Sequence, residues 1–167
     1  MSEAVRSGWR WLPMALVLIG VDQWTKGLVE TRFVYGESLP VWFWLDITRL
    51  HNPGAAFSFL AAQDGWQVHF LSVLAAVVSV VLVVWLRKLD AKREGLLASA
   101  LSLVLAGAVG NLIDRLEHGY VVDFVHVHWN AAYFPAFNVA DSAITVGAAF
   151  LLLDALREWR RERSAGA

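Results

Sequence analysis

The chain has no cysteine. Disulfides, thiol nucleophiles and thiolate metal sites are therefore excluded, and the redox compartment cannot be read from cysteine usage. It also carries almost no net charge, −1 at pH 7, so it lacks the basic footprint expected of a nucleic-acid partner. Internal repeats, low-complexity segments and a composition shift that would mark a second domain are all missing. One domain is the length prior for 167 residues.

What the chain has in excess is apolar surface. Hydrophobic residues make up 57%, against roughly 45–50% in a soluble domain, and mean hydropathy is +0.50. The nine tryptophans suit membrane–water interfaces, where the ring is half buried and its N–H can reach water. A spanning helix needs about 20 mostly apolar residues. Four stretches meet that, at about 11–29, 68–86, 96–113 and 139–156. The first carries Asp22 and Lys26 where a cleavable leader would need small residues, so it is read as a span.

Lys and Arg set the orientation. Arg6 and Arg10 precede the first span; Arg87, Lys88, Lys92 and Arg93 join the second to the third; Arg157, Arg160, Arg161 and Arg163 follow the fourth. The remaining basic residues are Lys26, Arg32, Arg49 and Arg115. This places both termini and the second loop in the cytoplasm. The other two connections, 30–67 and 114–138, face outward. Each holds an alternating stretch, Val41–Arg49 and Val121–Trp129, that reads as a short strand. The expected fold is an all-α membrane protein: a four-transmembrane-helix bundle with a small β-sheet and a lid segment on its outer face.

Span direction then sorts the polar residues by depth. Asp22 and Lys26 come late in span one; Asn111, Asp114 and Arg115 end span three; Asn138 and Asp141 begin span four; Asn52 and Asp123 lie in the outer connections. All fall toward one face. Ionisable groups at membrane depth are expensive unless paired or hydrated, which makes the cluster a candidate site. Each member also has a plainer reading. Asp22 and Lys26 are four apart and can form a packing ion pair. Arg115 can clamp a carbonyl or pair with a loop acid. Asn138 or Asp141 can cap a helix. Asp154, beside Arg157, reads as a solvated helix end. His126 and His128 alternate on one strand but lack a third ligand for zinc, and no metal or cofactor is expected. Two carboxylates at one mouth can divide the work of water-driven amide hydrolysis. One is ionised and takes a proton; the other is protonated and donates. Spacing alone does not choose which two. A proton-coupled transporter is the alternative, but a relay needs polar groups at several depths, and the inner half of each span is apolar.

Four blocks carry a family resemblance: Val21–Lys26 (VDQWTK), Asn52–Phe59 (NPGAAFSF), Gly107–Phe124 (GAVGNLIDRLEHGYVVDF) and Phe137–Ser142 (FNVADS). In this order the chain resembles the bacterial lipoprotein signal peptidases, signal peptidase II. The resemblance implies an aspartic endopeptidase of the inner membrane. Such enzymes remove signal peptides from diacylglyceryl-modified prolipoproteins by cutting on the N-terminal side of the lipidated cysteine, and globomycin inhibits them. The family's catalytic aspartates match Asp123 and Asp141. Its other characteristic positions match Asp22, Lys26, Asn52, Gly54, Gly107, Asn111, Arg115, Asn138 and Ala140. A lipid-bearing substrate would enter sideways from the bilayer, which favours a monomer in contact with membrane lipid. Ala55–Gln67 is expected to form the lid.

Overall fold

The computed structural model describes residues 7–54 and 65–165. Most of the expected lid, Ala55 to residue 64, lies outside them. The chain opens with a short 3₁₀ turn, Gly8–Trp11, followed by α1 (Leu12–Arg32), β1 (Ser38–Trp42), β2 (Leu45–Asn52), α2 (Trp66–Lys88), α3 (Gly95–His118), β3 (Val121–Trp129), β4 (Ala132–Tyr133) and α4 (Val139–Ala165). The protein is thus mostly helical with one small antiparallel sheet, in strand order β1-β2-β3-β4.

Among the described residues three helices, α2, α3 and α4, are long and apolar enough to cross a membrane. In α1 the polar run Asp22, Gln23 and Lys26 interrupts the apolar sequence. The expected second span begins inside α2, whose first turn takes up Trp66 and Gln67 from the end of the expected lid. α4 continues nine residues past the expected span end, to Ala165, because its basic tail keeps helical propensity after the apolar run stops.

The helices assemble around α3. Over its apolar stretch 56% of residues are buried, against 6% for α2 and 17% for α4. α1, α2 and α4 all pack on it. Small residues allow the close approach of α4. At Gly147 a Cβ would lie 2.9 Å from the Ala100 carbonyl oxygen, and at Gly107 it would overlap the Ala140 carbonyl and sit 2.5 Å from Ile144 Cγ1. The apolar core joins Ala15, Leu82, Leu86, Leu101 and Leu105 from α1, α2 and α3. The outward faces stay apolar: Val73, Val77, Val80, Val81 and Val84 on α2 are exposed. A soluble protein would leave such a face uncovered at high cost, whereas acyl chains cover it at none.

The two ends of the bundle differ. At one end, the Gly8 N–H donates to Leu89 O at 2.9 Å and Ser7 pairs with Asp90, so the N-terminal turn lies beside the basic loop between α2 and α3. At the other end lies the sheet. The expected strand Val41–Arg49 is corrected: it is two strands with a turn at Phe43–Trp44. Nothing in the aromatic run Trp42–Phe43–Trp44 marks a turn by Gly, Pro or Asn, so the alternation reads straight through it. Val121–Trp129 is β3, as the alternation indicated. Its first four residues are all buried, since this half is laid against α3 and α1 as well as β2. Arg49 fastens the sheet to α1 by donating to Glu30 O and Phe33 O, both at 3.0 Å. These bonds answer carbonyls that the end of a helix leaves without partners.

Candidate active site

The polar residues of the cluster, Asp22, Lys26, Asn52, Asn111, Asp114, Arg115, Asp123, Asn138 and Asp141, converge at the sheet end. α3 ends at Gly119, whose positive φ of 77° suits a left-handed cap, and the chain turns at once into β3. Asp123 is thereby brought back over the last turns of α3. Register with β2 sets Asn52 opposite Val121, two residues from Asp123 on the same face of the neighbouring strand. The chain then returns through Phe137, whose carbonyl accepts from Phe124 and Val125 N–H, and starts α4.

The start of α4 is a reciprocal cap. Asn138 Oδ1 accepts the Asp141 N–H at 2.9 Å, and Asp141 Oδ2 accepts the Asn138 N–H at 3.3 Å. The capping role weighed from sequence is therefore real, and it coexists with a second one. Asn138 is completely buried. Its Nδ2 donates to Asp123 Oδ1 at 2.8 Å and lies 3.2 Å from both Asn111 Oδ1 and Val122 O. Asn52 Nδ2 donates to the other Asp123 oxygen at 2.9 Å, and Asn111 Nδ2 donates to Asp141 Oδ1 at 2.8 Å. Three asparagines thus hold two carboxyl groups from β3 and α4. Asp123 is 3% exposed. Burial, with the adjacent Asp141 charge adding to it, pushes its carboxyl from 3.8 up to about 7, against the opposing pull of the Asn52 and Asn138 bonds.

Behind them lies a buried ionic layer. Lys26 Nζ sits 2.7 Å from Asp22 Oδ2, 2.9 Å from Asp114 Oδ2 and 3.0 Å from Asn111 Oδ1. The Asp22–Lys26 ion pair read from the spacing is present. Asp22 Oδ1 also accepts the Ala140 N–H at 2.8 Å, and Asp114 Oδ2 accepts the Val122 N–H at 3.0 Å. One lysine therefore ties α1 to α3, and through its two carboxylates to α4 and β3. Gly110 makes room for this layer, since a Cβ there would lie 2.6 Å from Asp22 Oδ2.

Two members, Gln23 and Gly110, were not picked out from sequence, and a third, Asp114, was placed in the cluster without a role of its own. Gln23 Nε2 donates to Asp114 Oδ1 at 2.8 Å and to Gly110 O at 3.1 Å. A signal existed. Asp114 lies one turn from Asn111 and Gln23 one turn from Lys26, each on the same helix face. Of the two readings for Arg115, a carbonyl contact is seen: Nη1 lies 3.2 Å from Asn111 O. Gly54 adopts φ +109°, and a Cβ there would lie 2.7 Å from Leu71 Cδ1. His126 and His128 pack on Tyr133, and His128 Nε2 is 3.4 Å from Asp46. Among the described residues no group of three or more metal-ligating side chains is gathered.

A cavity of about 590 Å³ opens beside the carboxyl groups. Asp141, Asn52, Asn111 and Arg115 supply its polar edge; Leu71, Phe134, Phe137 and Val146 supply its apolar wall.

A model of the family described as signal peptidase (SPase) II matches residues 14–157. The chain belongs to the signal peptidase II family. Its relatives include the lipoprotein signal peptidases of Ectopseudomonas mendocina, 47% identical over 99% of both chains, and of Pseudomonas putida, 49% identical over 94% of this chain and 91% of that one. The Acinetobacter baylyi relative is 47% identical over 86% of this chain and 80% of that one. A bacterial membrane enzyme solved in meso at 2.3 Å resolution superposes with TM-score 0.79 and 33% identity, covering 89% of this chain and 88% of that chain. As a signal peptidase II this protein is a multi-pass membrane hydrolase that removes signal peptides from prolipoproteins, and the transporter alternative is set aside.

Proposed function

We propose that Asp123 and Asp141 are the catalytic pair of an aspartic endopeptidase acting on diacylglyceryl-modified prolipoproteins, and that cleavage falls on the N-terminal side of the lipidated cysteine. The observation that carries this reading is the asparagine-linked pair of carboxyl groups, of which Asp141 lines a cavity with a largely apolar wall. Asp123, whose carboxyl is held up to about 7, keeps a proton to donate to the scissile carbonyl. Asp141, open to the cavity, takes the proton from the attacking water. The roles exchange when the amine leaves, so the pair ends as it began and needs no cofactor. Arg115 and Asn52 at the rim are suited to hydrogen-bond the extended substrate backbone. The apolar wall suits the lipid chains. Gly54 and Gly107 serve by close packing, and Asp22, Lys26, Asn111, Asn138 and Ala140 by fixing the two aspartates.

The same reading gives four spans, α1 included, since buried pairing removes the cost of its charges. Basic loops and tails then lie in the cytoplasm, and the site lies near the outer face of a bacterial inner membrane. A cavity with a largely apolar wall suits a monomer, contact with membrane lipid and inhibition by globomycin.

The test is cleavage of a diacylglyceryl prolipoprotein by the purified protein in detergent. Asp123→Asn and Asp141→Asn should each lower the rate by about 10³-fold or more while preserving the fold. A wild-type rate in either variant removes that residue from the pair. The pH dependence sharpens the assignment. Cleavage should decline as pH rises through about 7 and Asp123 loses its proton. The folded protein holds this proton to higher pH than the unfolded chain, so between 3.8 and about 7 stability falls as pH rises. Asp123→Asn should flatten that fall in thermal unfolding; an unchanged slope would assign it to another group.

A further inference from the structure

A second cavity lies on the opposite half of the bundle, away from the aspartates. α1 and α2 each pack on α3 far more than on each other. The gap between them is a groove of about 450 Å³, walled by Leu12, Leu16 and Ile19 on one side, Val80 and Val84 on the other, and Leu105 at its floor. Ser79 is the one hydroxyl in the wall, and it donates to Ala75 O at 2.7 Å within its own helix. The groove therefore makes no polar demand on an occupant. In a bilayer its occupant is an acyl chain.

The length and the charge say which one. The α2 wall runs from Ser79 to Val84, and its deep end at Ser79 lies nine residues before the helix ends at Lys88, a depth of about 13 Å at 1.5 Å per residue. Half of a roughly 30 Å hydrocarbon core is close to that, so the groove lies within one leaflet and stops near the midplane. Its open end meets the basic end of the bundle. Trp9 Nε1 donates at 3.0 Å to the carbonyl of the groove residue Val83, and the Arg87 guanidinium lies 5.8 Å from the Trp9 ring centroid. Lys88 follows, then Lys92 and Arg93 in the loop. The two acids of that loop, Asp90 and Glu94, are outnumbered by these four cations. Asp90 Oδ1 accepts from Lys92 and Arg93 N–H, and Glu94 Oε2 accepts from Asp90 N–H. The net charge facing a headgroup at this mouth is positive.

We infer that this groove is a binding site for a single anionic glycerophospholipid of the leaflet at the basic end, one acyl chain lying between α1 and α2 and the phosphate meeting Arg87 and Lys88. Trp9 sits at the boundary, its ring against the chain region and its N–H held by the helix. The site is fixed rather than a transient lipid shell because the chain fills a shaped gap, while the charge selects among headgroups. It joins α1 to α2 where the protein itself does not.

The experiment uses the full chain, delipidated in detergent and offered equal amounts of dioleoyl phosphatidylglycerol and dioleoyl phosphatidylethanolamine, with retained lipid counted by native mass spectrometry. The expected result is one retained lipid per chain, with the glycerol headgroup favoured by about tenfold. Inorganic phosphate alone should not compete. Val80→Trp and, from the opposite wall, Leu16→Trp should lose both lipids. Arg87→Gln with Lys88→Gln should bring the two lipids to equal retention. All these variants should keep wild-type cleavage in detergent, which reports their folding. Equal retention of the two lipids by the unaltered protein overturns the proposal, as does unchanged retention in both tryptophan variants. A dimer that dissociates in Val80→Trp would assign the groove to a second copy and also overturn it.

Discussion

The two ends of the bundle hold the same kinds of residue and use them in opposite ways. At the sheet end Lys26, Asp22 and Asp114 have side chains at most 3% exposed, and the ammonium lies within 2.9 Å of both carboxylates. At the basic end Arg161 and Glu158 are 3.7 Å apart with most of both side chains in solvent. One is a buried network that joins α1, α3, α4 and β3; the other is a solvated pair on a single helix turn. The difference teaches that charge identity says little and burial says much. A buried pair exists only because every partner is in place, and removing one leaves the others stranded. An exposed pair loses almost nothing, because water replaces it.

The largest effect expected from breaking this contrast is at Lys26. Lys26→Met should destabilise the protein by about 3–5 kcal/mol, since Asp22 and Asp114 are left facing each other without a cation. Thermal unfolding in detergent measures it. A loss below about 1 kcal/mol would mean that the layer is hydrated and behaves like the other end. The glycines come next. Gly107→Val should cost about 1–3 kcal/mol through overlap with Ala140 and Ile144. Gly20→Ala meets nothing within 4 Å and should stabilise α1 by up to about 1 kcal/mol. Equal effects at the two would show that α4 does not depend on close approach to α3. The smallest change is expected at Arg161→Ala, within about 0.5 kcal/mol in the same assay. A larger loss would reveal a partner for the tail that the exposed pair does not.

The helices were legible because membrane-depth segments must be long and apolar, a signal that survives without any partner. The gathering of the polar cluster at one end of the bundle was legible for a related reason, since helix direction fixes which end of each span a residue occupies. The hairpin turn at Phe43–Trp44 was not legible, because aromatic residues favour strand and no Gly, Pro or Asn marks the reversal. Gln23 was not singled out, and Asp114 was placed in the cluster without a partner. Their value arises from each other and from Lys26, residues on different helices.

Composition, hydropathy and charge placement alone therefore determined a membrane protein of long helices with its polar groups toward one face, and the family blocks named the two aspartates. Tertiary structure alone decided that three asparagines join those aspartates, that Lys26 is shared by two carboxylates, and that one half of β3 is buried on every side. The reason is physical. Apolar length and charge bias act on each segment separately against the solvent. Burial, desolvation and hydrogen-bond partnership are properties of segments far apart in sequence that meet only when the chain is folded.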